Sequence, residues 1–184
     1  PQKRLLISPQ LKIFPKKKYL YKGTIIAAYQ WVKESRIQRR FESLDRINQD
    51  ENVNIFSLNA DFEIPKTRKI SFVYGFELVG NKIKSNAFRE RLSVIGNTIT
   101  QTQFVGRFPS RYPNNGSSYF VSAAYSNLRV DFNTKSSVSL GARYTSTNIK
   151  ASWINEQFLK SRNFILKTKN NALTGSISSS YRPN

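Results

Sequence analysis

The sequence predicts an all-β chain, an antiparallel up-and-down transmembrane β-barrel segment of about seven strands taken from a larger barrel. Three observations carry this. Apolar and polar residues alternate with a period of two over long stretches, so successive side chains fall on opposite faces of a sheet. Short and long connections alternate along the chain, as they do when tight turns gather at one end of a barrel and loops at the other. No apolar run approaches the roughly 20 residues that a transmembrane helix needs.

The first two strands are read at residues 3–14 and 19–40, and in the second Ile25, Ala27, Tyr29 and Trp31 share a face. The third, residues 52–64, alternates most plainly: Phe56, Leu58, Ala60, Phe62 and Ile64 oppose Ser57, Asn59, Asp61 and Glu63. The fourth, residues 68–84, repeats the pattern with Ile70, Phe72, Tyr74, Phe76 and Leu78 against Ser71, Val73, Gly75 and Glu77. The fifth, residues 117–132, slips phase near residues 125–128, which predicts a bulge there. In the sixth, residues 137–155, Val138, Leu140, Ala142 and Tyr144 oppose Ser139, Gly141, Arg143 and Thr145. The seventh, residues 172–182, alternates Leu173, Ile177 and Tyr181 with Thr174, Ser176, Ser178 and Ser180. The short connections are 15–18, 65–67 and 133–136; the long ones are 41–51, 85–116 and 157–171. Aromatics near the ends of the apolar faces (Tyr19, Trp31, Phe76, Tyr119, Trp153, Tyr181) fit an interfacial girdle, or ordinary strand propensity.

Composition removes most enzymes. The 184 residues include no Cys, His or Met. Thiolate nucleophiles, disulfides, cysteine metal sites and the commonest general base and metal ligand are therefore absent. Asp61 and Glu77 are framed by no catalytic motif, and inward carboxylates are expected in any barrel lumen. The chain is read as no enzyme, with no intrinsic cofactor and no metal site.

The formal net charge of +19 raises nucleic acid as a partner. The basic residues gather instead at turns, strand ends and long connections: 16–18, 36–40, 89–91, Arg107, Arg111 and 160–169. No strand face interleaves them with aromatics as a single-strand-binding groove would, so no nucleic acid is expected. The runner-up readings are a basic soluble β-rich nucleic-acid-binding module, and a passive porin or adhesion barrel. An odd strand count, an opening at Pro1 without Met and no visible signal peptide make the chain read as a fragment, unable to fold alone because of its open edges.

Residues 28–41 (Ala-Tyr-Gln-Trp-Val-Lys-Glu-Ser-Arg-Ile-Gln-Arg-Arg-Phe) resemble a barrel segment of TonB-dependent outer-membrane receptors of the haem and siderophore type. Residues 53–62, 74–77, 81–85, 111–118, 141–144 and 172–183 resemble the strands and loop ends that follow, in order. The resemblance implies a middle portion of one barrel domain over residues 1–184, whose closed form has about twenty-two strands around a plug. It places the plug, the TonB-contacting box and the C-terminal strands outside this chain. It also implies a Gram-negative outer-membrane location, contact with outer-membrane lipid, energising by the TonB-ExbB-ExbD complex, and uptake of a ferric siderophore or haem. Haem receptors of this kind typically use His, which is lacking here, so a haem ligand would lie elsewhere.

The candidate substrate-binding residues, in loop or lumen, are Arg36, Arg39, Arg89, Arg91, Arg107, Arg111 and Tyr112. The arginines are able to attract an anionic iron chelate, or simply solvate loops. Tyr112 and Tyr119 are chemically able to ligate iron, although barrel tyrosines usually pack. Glu34, Asp61, Glu63, Glu77 and Arg143 are expected to face a polar lumen and to pair across strands.

Overall fold

The computed structural model describes residues 1–67, 69–155 and 163–183. Expectations that fall on residues 68 and 156–162 lie outside the described residues. The described residues form one antiparallel sheet and contain no helix. Its strands are β1 (Gln2–Ile7), β2 (Gln10–Ile13), β3 (Lys22–Arg39), β4 (Asp45–Glu63), β5 (Ile70–Ile95), β6 (Thr98–Arg107), β7 (Ser117–Asp131), β8 (Ser136–Trp153) and β9 (Phe164–Tyr181).

The sheet runs β1-β3-β4-β5-β7-β8-β9, with β2 also on β3 and β6 also on β5. The expected first strand is thus broken into β1 and β2. Both keep one register on β3, since Ile7 faces Tyr29 and Gln10 faces Ile26. The break is at Pro9: its carbonyl accepts from Ala27 N at 3.2 Å, and its ring nitrogen has no hydrogen to return.

The expected long connections are largely strand. β4 begins at Asp45, inside the stretch read as connection 41–51. β5 runs on to Ile95 and turns through Gly96 and Asn97 into β6, all inside the stretch read as connection 85–116. Gly96 has φ +60, the region a two-residue hairpin asks of its first turn residue. β9 begins at Phe164, within the stretch read as connection 157–171. In β4 the extension is mostly polar (Asn48, Asp50, Glu51, Asn52), and in β5 and β9 apolar residues such as Ala87, Leu92 and Phe164 fall without a sustained alternation, so the backbone ladder continues where the two-residue pattern has stopped. The expected bulge at residues 125–128 is not there: β7 pairs with β5 and β8 without a register shift. The phase slip reflects small residues at Ala123, Ala124 and Ser126. The irregularities lie instead between β5 and β6, at Arg89/Glu90 and Ser93/Val94.

The register aligns the faces of all seven lanes. Ile25, Ala60, Phe76, Ala124, Tyr144 and Leu173 form one row across β3, β4, β5, β7, β8 and β9. This apolar face is open for most of its area, from Phe76 at 37% to Leu173 at 79%, although the small Ala60 is fully covered by its neighbours. Along β7 it runs from Phe120 to Val130, about the ten residues a tilted strand needs to cross a bilayer core. An aromatic row (Tyr29, Phe56, Phe120) closes its upper end. There Tyr29 Oη donates to Asn54 Oδ1 at 2.7 Å and Trp31 Nε1 to Asn52 Oδ1 at 2.8 Å. Rings with an apolar body and a polar tip aimed up the strand suit a membrane interface.

Candidate functional site

The opposite face is polar, and the register places Glu34, Asp61, Glu63, Glu77 and Arg143 on it together. Thr24, Asp61, Gly75, Tyr125, Arg143 and Thr174 make one row across six lanes. Gly75 leaves room for the Tyr125 ring to lie across β5, so that the hydroxyl donates to Asp61. A Cβ on Gly75 would meet the Ala60 carbonyl oxygen at 2.4 Å and the Tyr125 ring at 2.7 Å. Arg143 in turn reaches over β7, where Ala123 is small and buried, to donate to Glu77 at 2.9 Å. Its guanidinium lies 5.7 Å from the Tyr125 ring centroid. Small residues in the middle lanes thus let charged groups pair across strands that are not neighbours. Nearer the lower end Lys22 pairs with Glu63 at 2.7 Å.

At the upper end Glu34 accepts from Arg36, its neighbour on the same face of β3. Arg39 has the opposite parity on β3, so Arg36 and Arg39 do not form one cluster. Arg39 and Arg89 do line one cavity of about 500 Å³, together with Asp45 and Phe108. The Arg89 guanidinium lies 5.6 Å from the Phe108 ring centroid. Arg91 pairs with Asp45 at 3.0 Å, and Arg46 with Glu90 at 2.7 Å. Hydrogen bonding from Arg91 holds the Asp45 carboxyl below its usual range, and hydrogen bonding from Arg46 does the same for Glu90. Arg111 and Tyr112 lie in the 108–116 connector, with Tyr112 39% exposed.

A second cavity of about 500 Å³ brings Arg107, a candidate from the sequence, together with residues the sequence did not single out. Glu51 and Ser85 line it and face each other across the β4–β5 ladder. They are 4% and 5% exposed. Among the described residues, neither oxygen of the Glu51 carboxylate nor Ser85 Oγ has a hydrogen-bond partner. Lys33, Arg107, Phe108 and Asn114 complete much of the wall. The connector that supplies Asn114 is pinned to the end of β8: Asn114 exchanges hydrogen bonds with the Ile154 backbone at 2.6 and 2.8 Å, and Asn115 Nδ2 donates to Ser152 Oγ at 2.9 Å. A desolvated, unpartnered carboxylate is costly. The arrangement suits a hydrogen-bond donor or cation contributed from beyond this sheet. Glu51 was hidden in the sequence because it falls in a polar stretch with no alternation to mark it as strand.

Residues 19–175 match the model of the outer membrane protein beta-barrel family. Among solved structures, the copper transporter OprC aligns with 100% of this chain and 28% of its own, at 12% identity and a TM-score of 0.65. The ferric yersiniabactin uptake receptor FyuA from Yersinia pestis aligns with 98% of this chain and 26% of its own, at 18% identity and a TM-score of 0.53. The chain therefore spans just over a quarter of the length of those two proteins, and at these identities the likeness is one of fold. No curated protein matches it in sequence.

Proposed function

Since the chain belongs to the outer membrane protein beta-barrel family, and so to the Gram-negative outer membrane, we propose that it forms part of the wall of a TonB-dependent uptake receptor. In this reading the polar face borders the lumen, a plug contributed by the rest of the protein fills it, and the cargo is an iron complex, either a ferric siderophore or haem. Energy enters through TonB-ExbB-ExbD acting on the plug. No covalent chemistry falls to these residues.

The single observation that carries the reading is the Glu51–Ser85 pair, a buried carboxylate and hydroxyl open on a cavity and unpartnered among the described residues. A passive pore with a solvated wall has no need of such a group, whereas a wall that docks a plug or cargo does. The two solved structures of like fold are named for metal transport, one for copper and one for ferric yersiniabactin, which supports a metal-complex cargo. The arginines at the upper cavities provide a basic field for an anionic chelate.

The test is growth and radiolabelled iron uptake in the host after deletion of the full gene, with ferric siderophores or haem as the iron source. Loss of uptake for one of them, restored by the gene, supports the proposal. Unchanged uptake of every iron complex, with loss of copper or of another solute instead, removes the iron assignment.

A further inference from the structure

We propose that the exposed lysines at the upper border of the apolar face form a site for the phosphate groups of outer-leaflet lipid. Lys82, Ser118, Lys150 and Lys167 occupy one row across β5, β7, β8 and β9. Lys84 is two residues further up β5 on the same face, and Lys169, opposite Asn148, is in the row below. All five lysines are exposed, and among the described residues none is in an ion pair.

Three features point to a lipid phosphate. The first is location: these lysines share a face with Phe120, Tyr144 and Leu173 and lie at or just above the aromatic row. That is the level of the head groups when the apolar band is in the bilayer core. The second is repulsion. Lys150 and Lys167 are direct cross-strand partners, about 5 Å apart at the backbone. Like charges in that position destabilise a sheet unless an anion lies between them. The third is shape. A hollow of about 310 Å³ is lined by Ser118, Phe120, Asn148, Lys150, Lys167 and Lys169. A neighbouring one of about 290 Å³ is lined in part by Lys82, Lys84, Ser118 and Lys150. Each mixes ammonium groups with a hydroxyl or amide, and the first adds the edge of the apolar face at Phe120. A phosphate carried on acyl chains fits that combination: the chains lie on the apolar rows and the phosphate bridges lysines of adjacent lanes.

The experiment uses the full-length receptor in nanodiscs, with binding of a bisphosphorylated glucosamine-disaccharide glycolipid measured against its dephosphorylated form. The wild type is expected to prefer the phosphorylated lipid by at least about tenfold. The triple variant Lys82→Gln/Lys150→Gln/Lys167→Gln is expected to lose that preference. Lys16→Gln/Lys17→Gln/Lys18→Gln, at the opposite end of the sheet, is expected to keep it. Equal wild-type affinity for the two lipids overturns the proposal without any variant. So does equal loss in both triple variants, which would mean diffuse charge, or full competition by millimolar inorganic phosphate, which would mean an anion site indifferent to lipid.

Discussion

The Tyr125 hydroxyl donates a hydrogen bond to Asp61 from two strands away, with its ring lying over the bare Cα of Gly75. Tyr125, Gly75 and Asp61 share a row, so this contact depends on the registers of β4, β5 and β7 at once. Gly75→Val is therefore expected to expel the ring and push against the Ala60 carbonyl, costing about 1–3 kcal/mol by overpacking. Tyr125→Phe, which removes only the donor, is expected to cost about 1 kcal/mol. Urea unfolding of the full-length barrel in lipid measures both, and the ranking Gly75→Val above Tyr125→Phe is the expected result.

Arg143 and Glu77 form the second brace, at 2.9 Å across β7. Their side chains are 38% and 29% exposed, so solvent screens part of the attraction. Removing either partner alone, as Arg143→Met or Glu77→Gln, is expected to cost about 1 kcal/mol. A double-mutant cycle is expected to return a coupling of about half that or more, with the double variant less affected than the sum. A coupling of zero would show that the two groups are independently solvated.

Acid is expected to loosen the upper ends of β4 and β5. Asp45 and Glu90 both have carboxyls lowered from their ordinary values of 3.8 and 4.5, chiefly by hydrogen bonds from Arg91 and Arg46. A group whose folded-state pKa is depressed stabilises the fold above its ordinary pKa and loses that contribution as the pH falls through the lowered value. Amide exchange across residues 45–49 and 87–91 is thus expected to be unchanged from pH 7 to pH 5 and to quicken below about pH 4, after correction for intrinsic rates. Arg91→Gln is expected to move the onset for Asp45 upward.

Charge at the upper cavities is expected to govern capture of the cargo. Neutralising Arg89 and Arg91 together with Arg107 and Arg111 is expected to slow uptake of an anionic iron chelate about tenfold or more at low salt, and less at high salt. Glu51→Gln tests the other element of the site, with reduced uptake and unchanged folding expected. Uptake unaffected by all five changes would assign these residues to solvated wall.

The lanes were legible in sequence wherever one face is apolar. Phe56 to Phe62, Phe72 to Leu78 and Val138 to Tyr144 alternate because an apolar side chain on every second residue must face the same medium. Above the aromatic row the apolar residues no longer recur on every second position, and the upper part of β4 is mostly polar; hence Asn48, Asp50 and Glu51 read as loop while β4 runs through them. Pro9 was visible, but only the shared register of β1 and β2 on β3 shows that it interrupts a strand without ending it. The pairing of Glu77 with Arg143, and of Asp61 with Tyr125, depends on contacts across intervening strands. Sequence periodicity put these groups on the right kind of face and had no means of choosing their partners.

One face of this sheet is expected to meet lipid and the other is not. Residues 1–184 contain no Cys; with any cysteine elsewhere in the full-length protein replaced by serine, single cysteines carrying spin labels are placed one at a time along residues 138–145 in the reconstituted protein. Collision with oxygen, which concentrates in lipid, is expected to peak at Val138, Leu140, Ala142 and Tyr144 and to fall at Ser139, Gly141, Arg143 and Thr145. A profile without that two-residue period, or one with the two sets exchanged, would contradict the account.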